Sequence, residues 1–278
     1  MKLSIPLFED YSLTIAERST GDGEYPTERL QKGLLLVRDG CELAEEGVGF
    51  GVPILKRGMQ TIFPGDVRLT ERHRGPVREV AAIFEMNLVE RLARPGAGSL
   101  ESRSLYAAKD SLAALHRRSP RLRGPLTAAS AALRRTFGWQ TTYEEAESTA
   151  TLKVTYAVDG AKGTVAVAVD TTGLRGDGVT ELVIMNEQGA RHFDRYEDSD
   201  GNALQEGQIG TWNEVSADKA SFVSNADGVA FSLGQVEGAR LHRGRELVGA
   251  RLAWSGFGYS LPPTLPSFSY DISVEKVS

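Results

Sequence analysis

The sequence has a single cysteine, Cys41, in 278 residues, which excludes an internal disulfide and any cysteine-built metal cluster. A lone cysteine of this kind is expected to be a small buried hydrophobe. Long apolar runs are also missing, since Met1-Lys2-Leu3-Ser4-Ile5-Pro6 is followed almost at once by Glu9 and Asp10. Nothing there is long enough for a signal peptide or a membrane span, so a soluble, cytoplasmic protein is expected. Neither sign of charge dominates: 32 Lys and Arg against 37 Asp and Glu leave −5, with no whole-chain attraction to nucleic acid. No His-x-x-x-His pair, serine elbow or Walker loop is present, so no metal and no cofactor is expected.

What is there is an ordinary globular composition, 41% hydrophobic and 25% charged, in a chain long enough to bury a large core. Most of it alternates with a period of two. Leu13 and Ile15 read as a half-buried strand, and Leu34-Leu35-Leu36-Val37 as a core strand before the turn Asp39-Gly40. Met59 to Phe63 reads as a strand turned by Pro64-Gly65-Asp66, and Val80 to Val89 as a long strand. Leu152, Val154, Tyr156 and Val158, then Asp159-Gly160, then Val165, Val167 and Val169 spell a β-hairpin. Val179 to Met185 is a continuous apolar run, the mark of a central strand. Phe268, Tyr270, Ile272 and Val274 alternate in the last strand.

One stretch breaks the pattern. Ser99 is an N-cap, Leu105, Leu112 and Leu115 form a stripe, and Ser119-Pro120 stops the first helix. Pro125 opens a second, with Leu126, Ala129, Leu133 and Phe137 on one face and Gly138 as its cap. The spacing predicts a helical hairpin over residues 99–138, rich in arginine and suited to contact between subunits. The expectation is one domain over 1–278, mainly β: a large antiparallel β-sandwich carrying that hairpin, divisible into 1–98, 99–138 and 139–278.

The long β run from Thr141 to Val277, preceded by a shorter β region with helices, resembles the supersandwich of galactose-mutarotase-like carbohydrate proteins. That resemblance implies a sugar or uronate ligand on a concave sheet face.

Candidate chemistry sits in Met185-Asn186-Glu187-Gln188-Gly189-Ala190-Arg191-His192-Phe193-Asp194, read as polar groups in a loop at a sheet end. There Glu187, His192 and Asp194 are the candidate proton handlers, with Arg191 to stabilise an anion. Thr211-Trp212-Asn213-Glu214 puts a flat ring beside polar groups, so Trp212 is the candidate stacking platform and Glu214 its companion. Trp139 and Trp254 are further platforms, and Arg72 is a candidate for holding hydroxyls or a uronate. Asp198, Asp200 and Asn202 have the alternating oxygens of a calcium loop, but Ala203 stands where its glycine belongs, so a solvated turn is expected.

The glycines at 47, 49 and 51 alternate with Val48, Phe50 and Val52, giving an extended segment with one bare and one apolar face. Pro53 and the missing helix exclude a dinucleotide loop. Two other readings stay open: a non-catalytic scaffold that oligomerises through the arginine-rich hairpin, and a β-cup holding an apolar ligand against Val48, Phe50 and Val52.

Overall fold

A computed structural model describes residues 1–17, 30–44, 47–58, 60–93, 140–148, 150–174, 178–247 and 253–277. The helical hairpin expected over 99–138, and Trp139 beside it, lie outside the described residues. Among the described residues there is no α-helix.

The strands are β1 (Lys2–Pro6), β2 (Tyr11–Ala16), β3 (Leu35–Arg38), β4 (Cys41–Glu42), β5 (Gly49–Arg57), β6 (Gln60–Arg74), β7 (Val77–Ala93) and β8 (Gln140–Glu145). They continue as β9 (Thr151–Asp159), β10 (Thr164–Asp170), β11 (Glu181–Gly189), β12 (Arg195–Asp198), β13 (Ala203–Gln205) and β14 (Asn213–Glu214). The last are β15 (Lys219–Ser224), β16 (Val229–Gly234), β17 (Arg240–Leu247), β18 (Ala253–Leu261) and β19 (Ser267–Lys276). β1 to β4 form a small antiparallel sheet, and the rest form one sheet ordered β13-β12-β15-β16-β19-β10-β9-β7-β6-β5-β11-β18-β17-β14, with β8 paired to β7.

A sheet this wide must fold over to bury its apolar side. Phe50 on β5 meets Phe231 on β16 at 5.1 Å between ring centroids, Phe257 on β18 meets Phe222 on β15 at 4.9 Å, and Tyr259 meets Tyr270 on β19 at 4.7 Å. The layer β5-β11-β18-β17-β14 therefore faces the layer β12-β15-β16-β19-β10-β9, as in a sandwich. Each such ring contributes on the order of 2–3 kcal/mol by burial. The small sheet adds Ile5, Leu13, Ile15 and Leu36 to the same core.

β6 and β7 run 15 and 17 residues and stand between β9 and β5 in the sheet order, joining the two layers. Pro64-Gly65-Asp66 is a bulge inside β6, so the strand bends and continues where a turn was expected. Asn87 explains how: its side-chain oxygen accepts the Gly65 amide at 2.9 Å, and Pro64 has no amide to satisfy. Cys41 is exposed on the short strand β4 instead of buried.

A second bulge shapes the centre. Met185 pairs with Val52 and Asn186 with Phe50, so Gly51 is the extra residue, at φ +77°. The bulge shifts the side-chain phase of β5: Phe50 enters the main core, while Val52 and Ile54 join Val183 and Met185 on the outer side, where Val48, just before the strand, also packs. Val48, Phe50 and Val52 thus do not share one apolar face.

Candidate functional site

β11 does not end where its apolar run ends. It continues through Asn186, Glu187 and Gln188 to Gly189, so these three polar residues are buried in mid-sheet and not in an exposed loop. Burying a polar group is costly unless it is bonded, so each needs an account.

The two amides have one. The Asn186 side-chain oxygen accepts the Gly51 amide of the bulge at 3.0 Å and the Tyr270 hydroxyl at 2.8 Å. Gln188 accepts the Leu36 amide at 3.0 Å and donates to the Leu34 carbonyl at 3.3 Å, tying the small sheet to the sandwich. The Tyr156 hydroxyl completes the bulge by donating to the carbonyl of Phe50 at 3.0 Å.

Glu187 lies between them in sequence and points the other way, out of the main core with Val183 and Met185. It is 7% exposed, and its carboxylate accepts the Val48 amide at 3.3 Å. Burial pushes this carboxyl up to about 7; the Val48 hydrogen bond works against the rise and the charge of Glu246 adds to it. Its partners across the strands are Gly49 on β5 and Gly256 on β18, so neither directly opposite position carries a side chain.

Glycines smooth the rest of this outer face. A methyl group at Gly258 would come within 2.2 Å of the Trp212 indole and 3.2 Å of the Met185 sulfur. One at Gly244 would come within 2.5 Å of the Trp254 indole. Each ring thus occupies space that a glycine leaves open. Trp212 also stacks on His242 of β17, 5.0 Å between centroids and 9° between planes. Glu214, exposed on β14, is directly opposite His242.

The expected site residues divide. Glu187, Trp212 and Glu214 share the outer face of β11-β18-β17-β14. His192 does not: its Nδ1 meets Asp227 at 2.8 Å, on the turn between β15 and β16 in the opposite layer. The same Asp227 oxygen accepts the Ser224 hydroxyl at 2.7 Å, and Arg38 of the small sheet lies 3.8 Å from its other oxygen. Arg191 and Asp194 are exposed on the turn around His192. Arg72 is exposed near the tip of the β6–β7 hairpin, opposite Glu79. Arg191 and Arg72, the two expected anion holders, are thus on separate elements.

The Asp198 loop is a turn closed on itself. One Asp198 oxygen accepts the Asp200 amide at 3.1 Å and the Asn202 amide at 3.0 Å, and the other accepts the Tyr196 hydroxyl at 2.8 Å. Among the described residues no group of His, Cys, Asp and Glu is arranged to hold a metal ion.

Glu246 and His242 escaped the sequence reading because β17, Arg-Leu-His-Arg-Gly-Arg-Glu-Leu, carries too few apolar residues to announce a strand. The glycines at 256 and 258, two apart within an apolar run, were the signal that a ring or backbone approaches there.

No protein-family model matches the chain, and no curated protein matches it either. Solved structures similar to it include a galactose mutarotase-like protein from Lactobacillus casei, at 12% identity and a TM-score of 0.40, covering 99% of each chain. Another is a protein from Synechocystis, at 8% identity and a TM-score of 0.38, covering 99% of this chain and 96% of that one. A third is the α-N-acetylgalactosaminidase of Bifidobacterium bifidum, in a quadruple mutant, at 10% identity and a TM-score of 0.48. There the match covers 99% of this chain and 36% of the other, so the chain spans about a third of that enzyme's length.

Proposed function

We propose that the outer face of β11-β18-β17-β14 is a sugar-binding surface. The observation that carries this reading is the placement of two tryptophans over glycines on the face toward which the buried Glu187 side chain turns. A pyranose has an apolar face that stacks on an indole and a rim of hydroxyls that seeks donors and acceptors. Trp212, backed by His242, supplies the platform, and Glu187 and Glu214 supply the hydrogen bonds.

The face favours a neutral sugar over a uronate. Among the described residues, the cations on it are Lys56 and Arg240, at the other end of β11 beside Glu181. Close to Glu187 the charge is that of Glu246, which repels an anion.

Titration with neutral mono- and disaccharides, followed by tryptophan fluorescence and calorimetry, tests the reading. Binding is expected to quench the fluorescence, and Trp212→Ala to weaken affinity about tenfold, the scale of one lost stacking contact. Affinities unchanged in Trp212→Ala and Trp254→Ala overturn it.

A further inference from the structure

We infer that the outer face of β19-β10-β9-β7-β6 is an interface on which a second copy of this chain docks face to face, as a two-fold dimer. This does not depend on the sugar-binding reading, which concerns the opposite side of the sandwich.

Burial alternates along these strands. Val154, Tyr156 and Val158 on β9 and Val165, Val167 and Val169 on β10 fill the core, so the residues between them point outward. Strand register gathers the outward residues of all five strands into rungs. Thr70, Ala81, Thr155, Ala168 and Ser269 make the middle rung. Ala157 and Ala166 lie beside it, one step nearer the turn between β9 and β10. Ala166, Ala168 and Ser269 are exposed, and Ala81, Thr155 and Ala157 are half-buried by their neighbours in the sheet. The centre of this face is therefore flat and carries neither charge nor bulk.

A sheet face that stays in water is better served by threonine or by long charged side chains, because alanine is a poor strand former. Four outward alanines on three adjacent strands cost stability unless another surface covers them. The charges lie around them, and an uncharged centre inside a polar rim is the anatomy of a protein interface. That rim is polarised. On the β6 side are Arg68 and Arg72, with Glu79 opposite Arg72, an excess of positive charge. On the other side are Asp170 and Asp271, with Lys153 opposite Asp170, an excess of negative charge. Asp66 and Glu85 stand one rung further on, where β10 and β19 have ended. A two-fold axis parallel to the strands lays the β6 side of each copy over the β19 side of its partner and joins unlike charges. An axis across the strands would stack like on like. Five strands about 4.8 Å apart and about seven residues long make a plane of roughly 550 Å². Two such planes bury roughly 1,100 Å², the size of a specific but reversible interface.

Sedimentation velocity of the full chain, from about 1 to 100 µM, tests this. The expected result is a reversible shift from one chain to twice its mass, with a dissociation constant in the micromolar range. Ala168→Arg puts bulk and charge at the centre and is expected to weaken association at least about 100-fold. Arg72→Glu and Asp271→Arg are each expected to weaken it about tenfold, because a two-fold repeats every contact. Together they are expected to regain most of the loss, since unlike charges meet again. Far-UV circular dichroism checks that each variant keeps the fold, and Ala166→Arg replaces Ala168→Arg if it does not. A parent that stays monomeric over the whole range overturns the inference. A dimer that both alanine variants leave intact overturns it as well, because its interface is elsewhere. A charge swap that fails to restore association overturns the two-fold arrangement and the inference with it.

Discussion

The hydroxyl of Tyr270 on β19 donates to the side-chain oxygen of Asn186 on β11, 2.8 Å away across the core, and the Gly51 amide donates to the same atom. One oxygen therefore holds together the two layers and the bulge. Replacing Asn186 with Leu leaves both donors buried and unbonded, at a cost of about 2–4 kcal/mol. Urea unfolding is expected to show that loss as a lower midpoint. The double variant Asn186→Leu with Tyr270→Phe is expected to recover part of it, because one orphaned donor disappears.

Stability near neutral pH should depend on Glu187. Its carboxyl titrates at about 7 in the folded protein, against 4.5 for the free side chain. The folded state thus keeps a proton that the unfolded state has already released, and stability falls as pH rises from 4.5 to 7, then levels off. The penalty at pH 8 is on the order of 3 kcal/mol. Glu187→Gln should remove that slope and be the more stable protein at pH 8, with little difference at pH 4. Equal slopes in the two proteins would show that the group titrates normally.

Gly51 and Gly40 both adopt positive φ, +77° and +80°, yet they should respond differently to alanine. At Gly40 an added methyl meets nothing within 4 Å, so only backbone strain of about 1 kcal/mol is expected. At Gly51 it would come within 2.6 Å of the Tyr156 ring, which is fixed between two carbonyls. Gly51→Ala should therefore cost about 3 kcal/mol or more, read from thermal or urea unfolding.

His192 links the turn after β11 to the turn before β16 through Asp227. His192→Ala is expected to cost about 1 kcal/mol and to speed hydrogen exchange at the amides of Asp227 and Gly228. Sugar affinity should not change. A loss of affinity without faster exchange would return His192 to the binding face.

These contrasts show what the sequence disclosed and what it withheld. The β9–β10 hairpin was plain, because Val154, Tyr156 and Val158 alternate against Val165, Val167 and Val169 with one face buried. The central place of β11 was plain as well, since a strand covered on both sides reads as continuous apolar sequence. Its end was misjudged. Asn186 and Gln188 look like loop residues because their partners, Leu34, Leu36, Gly51 and Tyr270, are far away in sequence. Pro64-Gly65-Asp66 looks like a turn for the same reason: the Asn87 that makes it a bulge lies on another strand. In the site, Trp212 and Glu187 were legible as residue types. Glu246 was not, because its relevance comes from a register of strands that short-range pattern does not encode.

The pairing of β7 with β8 has a topological consequence. Ala93 and Gln140 are partners in that ladder, so the chain leaves the sheet at residue 93 and re-enters it at residue 140 at nearly the same point, about 5 Å away. A two-residue Asn-Gly turn is long enough to close that distance and to join the two strands directly as a β-hairpin. The mouth of the β7–β8 ladder is thus a closed end, set by the two strands themselves.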